Sequence, residues 1–197
     1  MSVKLCKALI FEHIKLKDMK RIVFVFGSIA GILIGAWTVA SIAYSYSVND
    51  YEGSMLMGYA AMLLAFSLIY VGVKSYRDRE NGGFISFGKA FRVGLYIALV
   101  ASTIYVITWV IDYYVFVPDF MEKFSEHLMQ QARNSGATPA EISSKTAEMN
   151  SMKELYKNPL NVVLFTYLEI LPVALIVPLL SALLLKRKPG LEVVLEK

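Results

Sequence analysis

The sequence predicts an all-α membrane protein: four transmembrane helices, with an extracytoplasmic helical hairpin between spans three and four. Three observations carry the prediction. Hydrophobic residues make up 56% of the 197-residue chain and charged residues only 18%, against about 25% charged in soluble domains. The charges cluster between long apolar runs rather than alternating with them. Finally, Lys and Arg gather on alternate connections, as the positive-inside rule requires of a multi-pass protein.

The apolar runs cover 22–46, 54–73, 91–111 and 160–185. A hydrocarbon core of about 30 Å takes about 20 helical residues, so each run is long enough to cross. Lipid offers backbone groups no partner, so only helices and closed barrels span it. Barrel strands would alternate over about ten residues, and these runs do not. The whole chain, 1–197, reads as one integral membrane domain. A signal-peptide reading of the first run is disfavoured, because the run exceeds a typical h-region and a basic stretch of 21 residues precedes it.

Orientation follows from the cations. Lys4, Lys7, Lys15, Lys17, Lys20 and Arg21 precede span one, and Lys186, Arg187 and Lys188 follow span four. Lys74, Arg77, Arg79, Lys89 and Arg92 lie between spans two and three, whereas "SVNDYEGS" between spans one and two has no cation. Both termini and the middle loop are expected on the cytoplasmic side.

The connection 112–158 reads as two helices. Asp119 and Glu122 stand at capping-box spacing, and Ser135-Gly136 supplies a stop. Thr138, Pro139 and Glu141 then form a strong helix start. Phe120, Met121, Phe124 and Leu128 make one apolar stripe, and Ile142, Met149, Met152 and Tyr156 another. The stripes suit a core between the two helices, with a protein partner at the outer hairpin as the alternative. At the other face, 1–21 mixes basic and apolar residues, as an interfacial helix on an anionic leaflet does. Asn81-Gly82-Gly83 breaks the helix after span two. Lys74, Arg77, Arg79, Lys89 and Arg92 are candidate contacts for anionic lipid headgroups, against the plainer reading of ordinary positive-inside charge.

Helix association in lipid relies on close approach of small residues. Gly27, Gly31 and Gly35 recur every fourth position in span one, and Gly58 lies on a small-residue ridge in span two. These are candidate packing positions within one bundle, with a homodimer as the other use.

Span four, "FTYLEILPVALIVPLL", holds the main functional lead. Glu169 has uncharged neighbours for eleven residues before it and sixteen after it. An acid in a span is a functional hypothesis by default. Residues at matching depth include Tyr59, Tyr105 and Thr108, which offer hydroxyls but no cation. Glu169 is therefore expected to hold its proton and hydrogen-bond inside the bundle, with Tyr59 or Thr108 as partner. Pro172 and Pro178 each remove a helical hydrogen bond, and a broken helix beside an acid is the pattern of transporter ion sites. The single cysteine, Cys6, excludes an intrachain disulfide and Cys₄ zinc sites. The histidines, His13 and His127, lie far apart, so neither metal nor cofactor is implied.

Gly58-Tyr59, Ala65-Phe66, "VGVKSYRD" at 71–78, "GGFISFGKAF" at 82–91, "KNPL" at 157–160 and "YLEILPVAL" at 167–175 resemble a bacterial membrane family, domain of unknown function 4199, found largely in Bacteroidota. The resemblance runs from about residue 20 to 188 and implies a four-span integral membrane protein. It implies no activity. The longer N-terminus before Met19 is less typical of it.

Three function classes follow. The first is a non-enzymatic inner-membrane scaffold or accessory protein. The second is a small, dimeric proton-coupled transporter or channel using Glu169. The third, an enzyme on lipid or envelope precursors, is weakest, since no nucleophile–base pair is visible. Membrane lipids are the expected surroundings, and nothing points to nucleic acid.

Overall fold

The computed structural model describes residues 3–48, 51 and 55–188, the backbone alone at 3–17 and 55. The amphipathic face expected over 1–21 lies mostly outside the described side chains. Six helices follow one another: α1 (Val3–Val48), α2 (Met55–Ser75), α3 (Phe87–Ile111), α4 (Phe120–Asn134), α5 (Pro139–Tyr156) and α6 (Pro159–Leu185). Four apolar rods are long enough to cross a membrane: Asp18–Val48, Leu56–Glu80, Phe87–Phe116 and Pro159–Leu185. The second and third run well past the ends read from sequence, because a π-helical turn extends α2 through Tyr76–Glu80 and another extends α3 through Asp112–Phe116.

Small residues set the packing. Gly27, Gly31 and Gly35 lie against Val100, Ile104 and Thr108 of α3. Both series climb by four in the same sense, so α1 and α3 run parallel, each Gly admitting one β-branched side chain. A Cβ on Gly31 would meet Ile104 Cβ at 2.7 Å and the Ala101 carbonyl oxygen at 2.9 Å. This ridge of α1 is therefore occupied within the chain. Gly94 of α3 similarly receives Pro178 of α6, with its Cβ at 3.1 Å from an added methyl. Gly58, expected to pack, meets nothing within 4 Å; its α2 face borders an open cleft instead. Helix α3 is the central element, with Ile97, Ala98 and Ala101 fully buried. Around the bundle α1 touches α3, α3 touches α6, α6 touches α2, and α2 touches α1.

The prolines do not break α6, which is continuous from Pro159 to Leu185. Pro178 is buried against Gly94, so the ring fills a space that only a glycine-bearing neighbour leaves.

At the end where α1 begins and α6 finishes, Gly82 (φ 67°) and Gly83 (φ 82°) take the left-handed backbone that reverses the chain. Ile85 and Arg187 then exchange backbone hydrogen bonds of 3.0 and 2.9 Å, tying the chain after α6 to the α2–α3 loop.

At the opposite end the hairpin forms from its caps. Thr138 and Glu141 make the full capping box. Gly136 (φ 78°) closes α4, with the Gly136 N–H donating to Arg133 and the Ala137 N–H to Ala132. The expected cap at Asp119 differs. Its side chain makes no cap hydrogen bond because it accepts from the Tyr46 hydroxyl at 2.8 Å and pairs with Lys123 at 2.8 Å. A tie to α1 has replaced a local one. The two apolar stripes meet only partly: Phe120, Met152 and Tyr156 pack with Met121, Tyr113 and Val162, but α5 buries no residue completely.

Candidate functional site: an aromatic cleft around Glu169

Between the bundle and the hairpin lies a cleft of about 820 Å³ to which all six helices contribute. One wall is a single face of α1, where Ile34, Thr38, Ser41 and Ser45 follow at spacings of three and four. Met57, Gly58 and Tyr59 of α2 form the facing wall, and Phe120 and Phe124 of α4 lie over the top. Glu169 enters from α6 beside the buried Ile170. It stands on the flank of the inward face of α6 and lines the cleft.

Tyr105 of α3, buried at 5% exposure, lines the cleft together with Glu169 and Thr38. Tyr59 lines the same cleft from α2. Thr108 does not. Its hydroxyl donates to the Ile104 carbonyl at 2.9 Å and its side chain fills the space at Gly35. Three residues separate Tyr105 from Thr108, which turns the second onto the α1 seam. Of the hydroxyls at matching depth, the structure thus brings Tyr59 and Tyr105 to the acid and leaves Thr108 elsewhere.

The cleft's rim is an aromatic chain. Trp109 meets Phe120 edge-on at 5.4 Å, Phe120 stacks on Phe124 at 5.8 Å, and Tyr156 stacks on Phe165 at 6.0 Å. Trp37 and Trp109 both line the cleft, and they are the two tryptophans of the chain. Lys123 lies 4.1 Å over the Tyr46 ring while pairing with Asp119. The Asp119 carboxyl is held below the usual carboxylate range, first by Lys123 and then by the Tyr46 hydroxyl.

Sequence reading missed Asp112. It falls one residue past the apolar run, yet the π-helical turn carries it inside the rod, 4% exposed. Its Oδ2 has no hydrogen-bond partner among the described residues. The one available signal was the aromatic stretch "YYVF" that follows it, which prolongs the apolar character past an acid.

The five basic residues proposed for lipid headgroups do not form one site. Arg77 pairs with Asp78 at 2.6 Å and reaches the Leu185 carbonyl at 3.4 Å. Lys89 donates to Asn81 at 3.1 Å, and Arg92 to the Gly88 carbonyl at 3.3 Å. Lys74 and Arg79 line a second cleft between α1 and α2.

A carboxyl among phenols, indoles and hydroxyls can hold a cation or exchange a proton. The aromatic faces add attraction for a positive charge, and a cleft wall of low dielectric strengthens the carboxylate's own pull. No group of three or more His, Cys, Asp or Glu suited to a metal occurs among the described residues.

Searches against curated proteins and against solved structures gave no match. A family model described as "Protein of unknown function (DUF4199)" matches residues 25–187, which takes in most of the first apolar rod, the other three, the hairpin and Glu169. The chain belongs to that family.

Proposed function

We propose that this protein is a non-enzymatic, multi-pass protein of the bacterial inner membrane that takes a small monovalent cation, a proton or an organic ammonium, at Glu169. The observation that carries the reading is the placement of Glu169: a lone carboxyl opening into a cleft of about 820 Å³ walled by aromatic and hydroxyl side chains. A purely structural acid would be enclosed by donors. The Lys and Arg distribution supports cytoplasmic termini and an outer hairpin, so that the cleft opens away from the cytoplasm. Reporter fusions after Lys188 and in the 135–138 turn test this orientation; a cytoplasmic signal from the turn would sink it.

Because Trp37 and Trp109 line the cleft, indole emission reports on its occupancy. Tetramethylammonium chloride titrated into the protein in nanodiscs is expected to change that emission saturably, with sodium chloride as the ionic-strength control. Glu169→Gln keeps the shape and should abolish the response. In proteoliposomes the same substitution should abolish any flux driven by an imposed pH gradient. Identical titrations and fluxes for both forms would refute the reading.

A second reading, an accessory protein that docks partners through its outer hairpin, is supported by α5, which buries no residue completely and presents most of its length outward. Deleting cleft function with Glu169→Gln would leave such docking intact. The enzyme reading has no observation in its favour.

A further inference from the structure

The second cleft, about 580 Å³, lies between the start of the α1 rod and the end of α2. Its residues are ordered by depth. Val25, Phe26 and Val71 lie deepest, Arg21 and Lys74 come next, and Asp18, Asp78, Arg79 and Glu80 lie furthest out. This order follows from the helices: α1 runs inward from 18 to 26 while α2 and its π-helical turn run outward from 71 to 80. At 1.5 Å per residue, Arg21 stands about 4.5 Å deeper than Asp18.

Arg21, Lys74, Arg79, Asp18 and Glu80 have no ion-pair partner among the described residues, whereas the neighbouring Asp78 is taken by Arg77 at 2.6 Å. Among the described residues, charges of both signs thus line one recess above an apolar floor. Ordinary positive-inside charge accounts for the cations but not for the acids at the rim.

We infer that the α1–α2 cleft binds a glycerophospholipid with a primary-ammonium headgroup, its acyl chains along Val25, Phe26 and Val71, its phosphate at Arg21 and Lys74, and its ammonium at Asp18 and Glu80. An apolar floor, then Arg21 and Lys74, then an outer rim where Asp18 and Glu80 stand beside Arg79, follows the order of acyl chain, phosphate and ammonium in such a lipid. A headgroup carrying only the phosphate charge would leave the two acids facing no partner. A trimethylammonium headgroup would reach them without N–H donors. The site stands independently of the Glu169 reading, on the opposite end of the bundle.

The test is native mass spectrometry of the full-length protein with equimolar phosphatidylethanolamine, phosphatidylcholine and phosphatidylglycerol of identical acyl chains. Phosphatidylethanolamine should be retained over either by about fivefold, the scale of one partly exposed charged contact. Arg21→Gln with Lys74→Gln should reduce retention of all three lipids. Asp18→Asn with Glu80→Gln should preserve retention but erase the preference for phosphatidylethanolamine over phosphatidylglycerol. Equal or greater retention of phosphatidylglycerol by the unaltered protein overturns the proposal, and this arm stands even if a variant fails to fold. Competition by glycerophosphoethanolamine as strong as that by the lipid would overturn the assignment to a membrane lipid. Weak competition by it supports a site that needs the acyl chains.

Discussion

Helix α1 presents two faces that meet opposite fates. On one, Gly27, Gly31 and Gly35 draw α3 so close that an added methyl would lie 2.7 to 2.9 Å from its nearest neighbour. On the other, Ile34, Thr38, Ser41 and Ser45 wall a cleft of about 820 Å³. Both faces carry small residues. What differs is the partner: a β-branched ridge stands opposite the glycines, and large aromatic side chains that do not interlock stand opposite the hydroxyls. In lipid, where no hydrophobic drive closes gaps between helices, shape decides whether two faces seal or part. The same bundle therefore holds a tight seam and an open site less than one helix diameter apart.

The largest effect should come from filling the seam. Gly31→Val places new atoms against Ile104 Cβ and the Ala101 carbonyl, neither of which is the far end of a flexible chain. Overpacking of this kind costs about 3 kcal/mol. Denaturant titration in detergent should show it, and an unchanged midpoint would mean that α1 and α3 do not meet as described.

A smaller effect is expected at the rim. Tyr46→Phe removes the 2.8 Å hydrogen bond to Asp119 that ties α4 to α1. About 1 kcal/mol is expected, near the scale of measured intramembrane hydrogen bonds, read as faster amide exchange over α4. The Gly31 seam should be untouched, since its exchange depends on packing alone. If α4 keeps its protection in Tyr46→Phe, the aromatic contacts hold the hairpin without help.

Asp119 adds a pH dependence with a definite sign. Its folded carboxyl sits below the usual value, chiefly through Lys123 and next through Tyr46. Its stabilisation of the hairpin is therefore fully present above the unfolded value, about 3.9, and lost as pH falls through the folded value. Protection of α4 should be level between about pH 7 and 5 and decline below about pH 4. The Lys123 and Asp119 side chains are 38% and 44% exposed, so solvent screening keeps the amplitude small. Tyr46→Phe should shrink it further. A decline beginning near neutral pH would assign the transition to another group.

How much of this was legible beforehand follows from the physics. The spans were readable because a bilayer demands long apolar helices whatever the packing. The Thr138–Glu141 capping box and the Gly136 stop were readable because they act within one turn. Rotation about a helix axis was not. Depth matching put Tyr59, Tyr105 and Thr108 beside Glu169, but Thr108, three residues past Tyr105, turns onto the α1 seam. Gly58 and Gly31 look alike as small residues, and what each meets depends on the helix opposite. Asp119 has the sequence of a cap and the geometry of a tie, because Tyr46, 73 positions away, competes for it. Asp112 was hidden by a π-helical turn that no local rule places.

The smallest expected effect is also the most direct test of the two faces. Gly58→Ala adds one methyl on the cleft wall, where nothing lies within 4 Å. Alanine in place of a helical glycine lowers the entropy of the unfolded chain and stabilises by about 0.5 to 1 kcal/mol where the space is free. The substitution should therefore raise the denaturation midpoint slightly, opposite in sign to Gly31→Val, and leave the indole response to tetramethylammonium intact because one methyl removes little of the cleft. A loss of stability would show that α2 closes on α1 or α6 at this level, so that the cleft is not an open feature of the folded protein. The Glu169 reading, which depends on that opening, would then fall with it, while the glycine seam would stand.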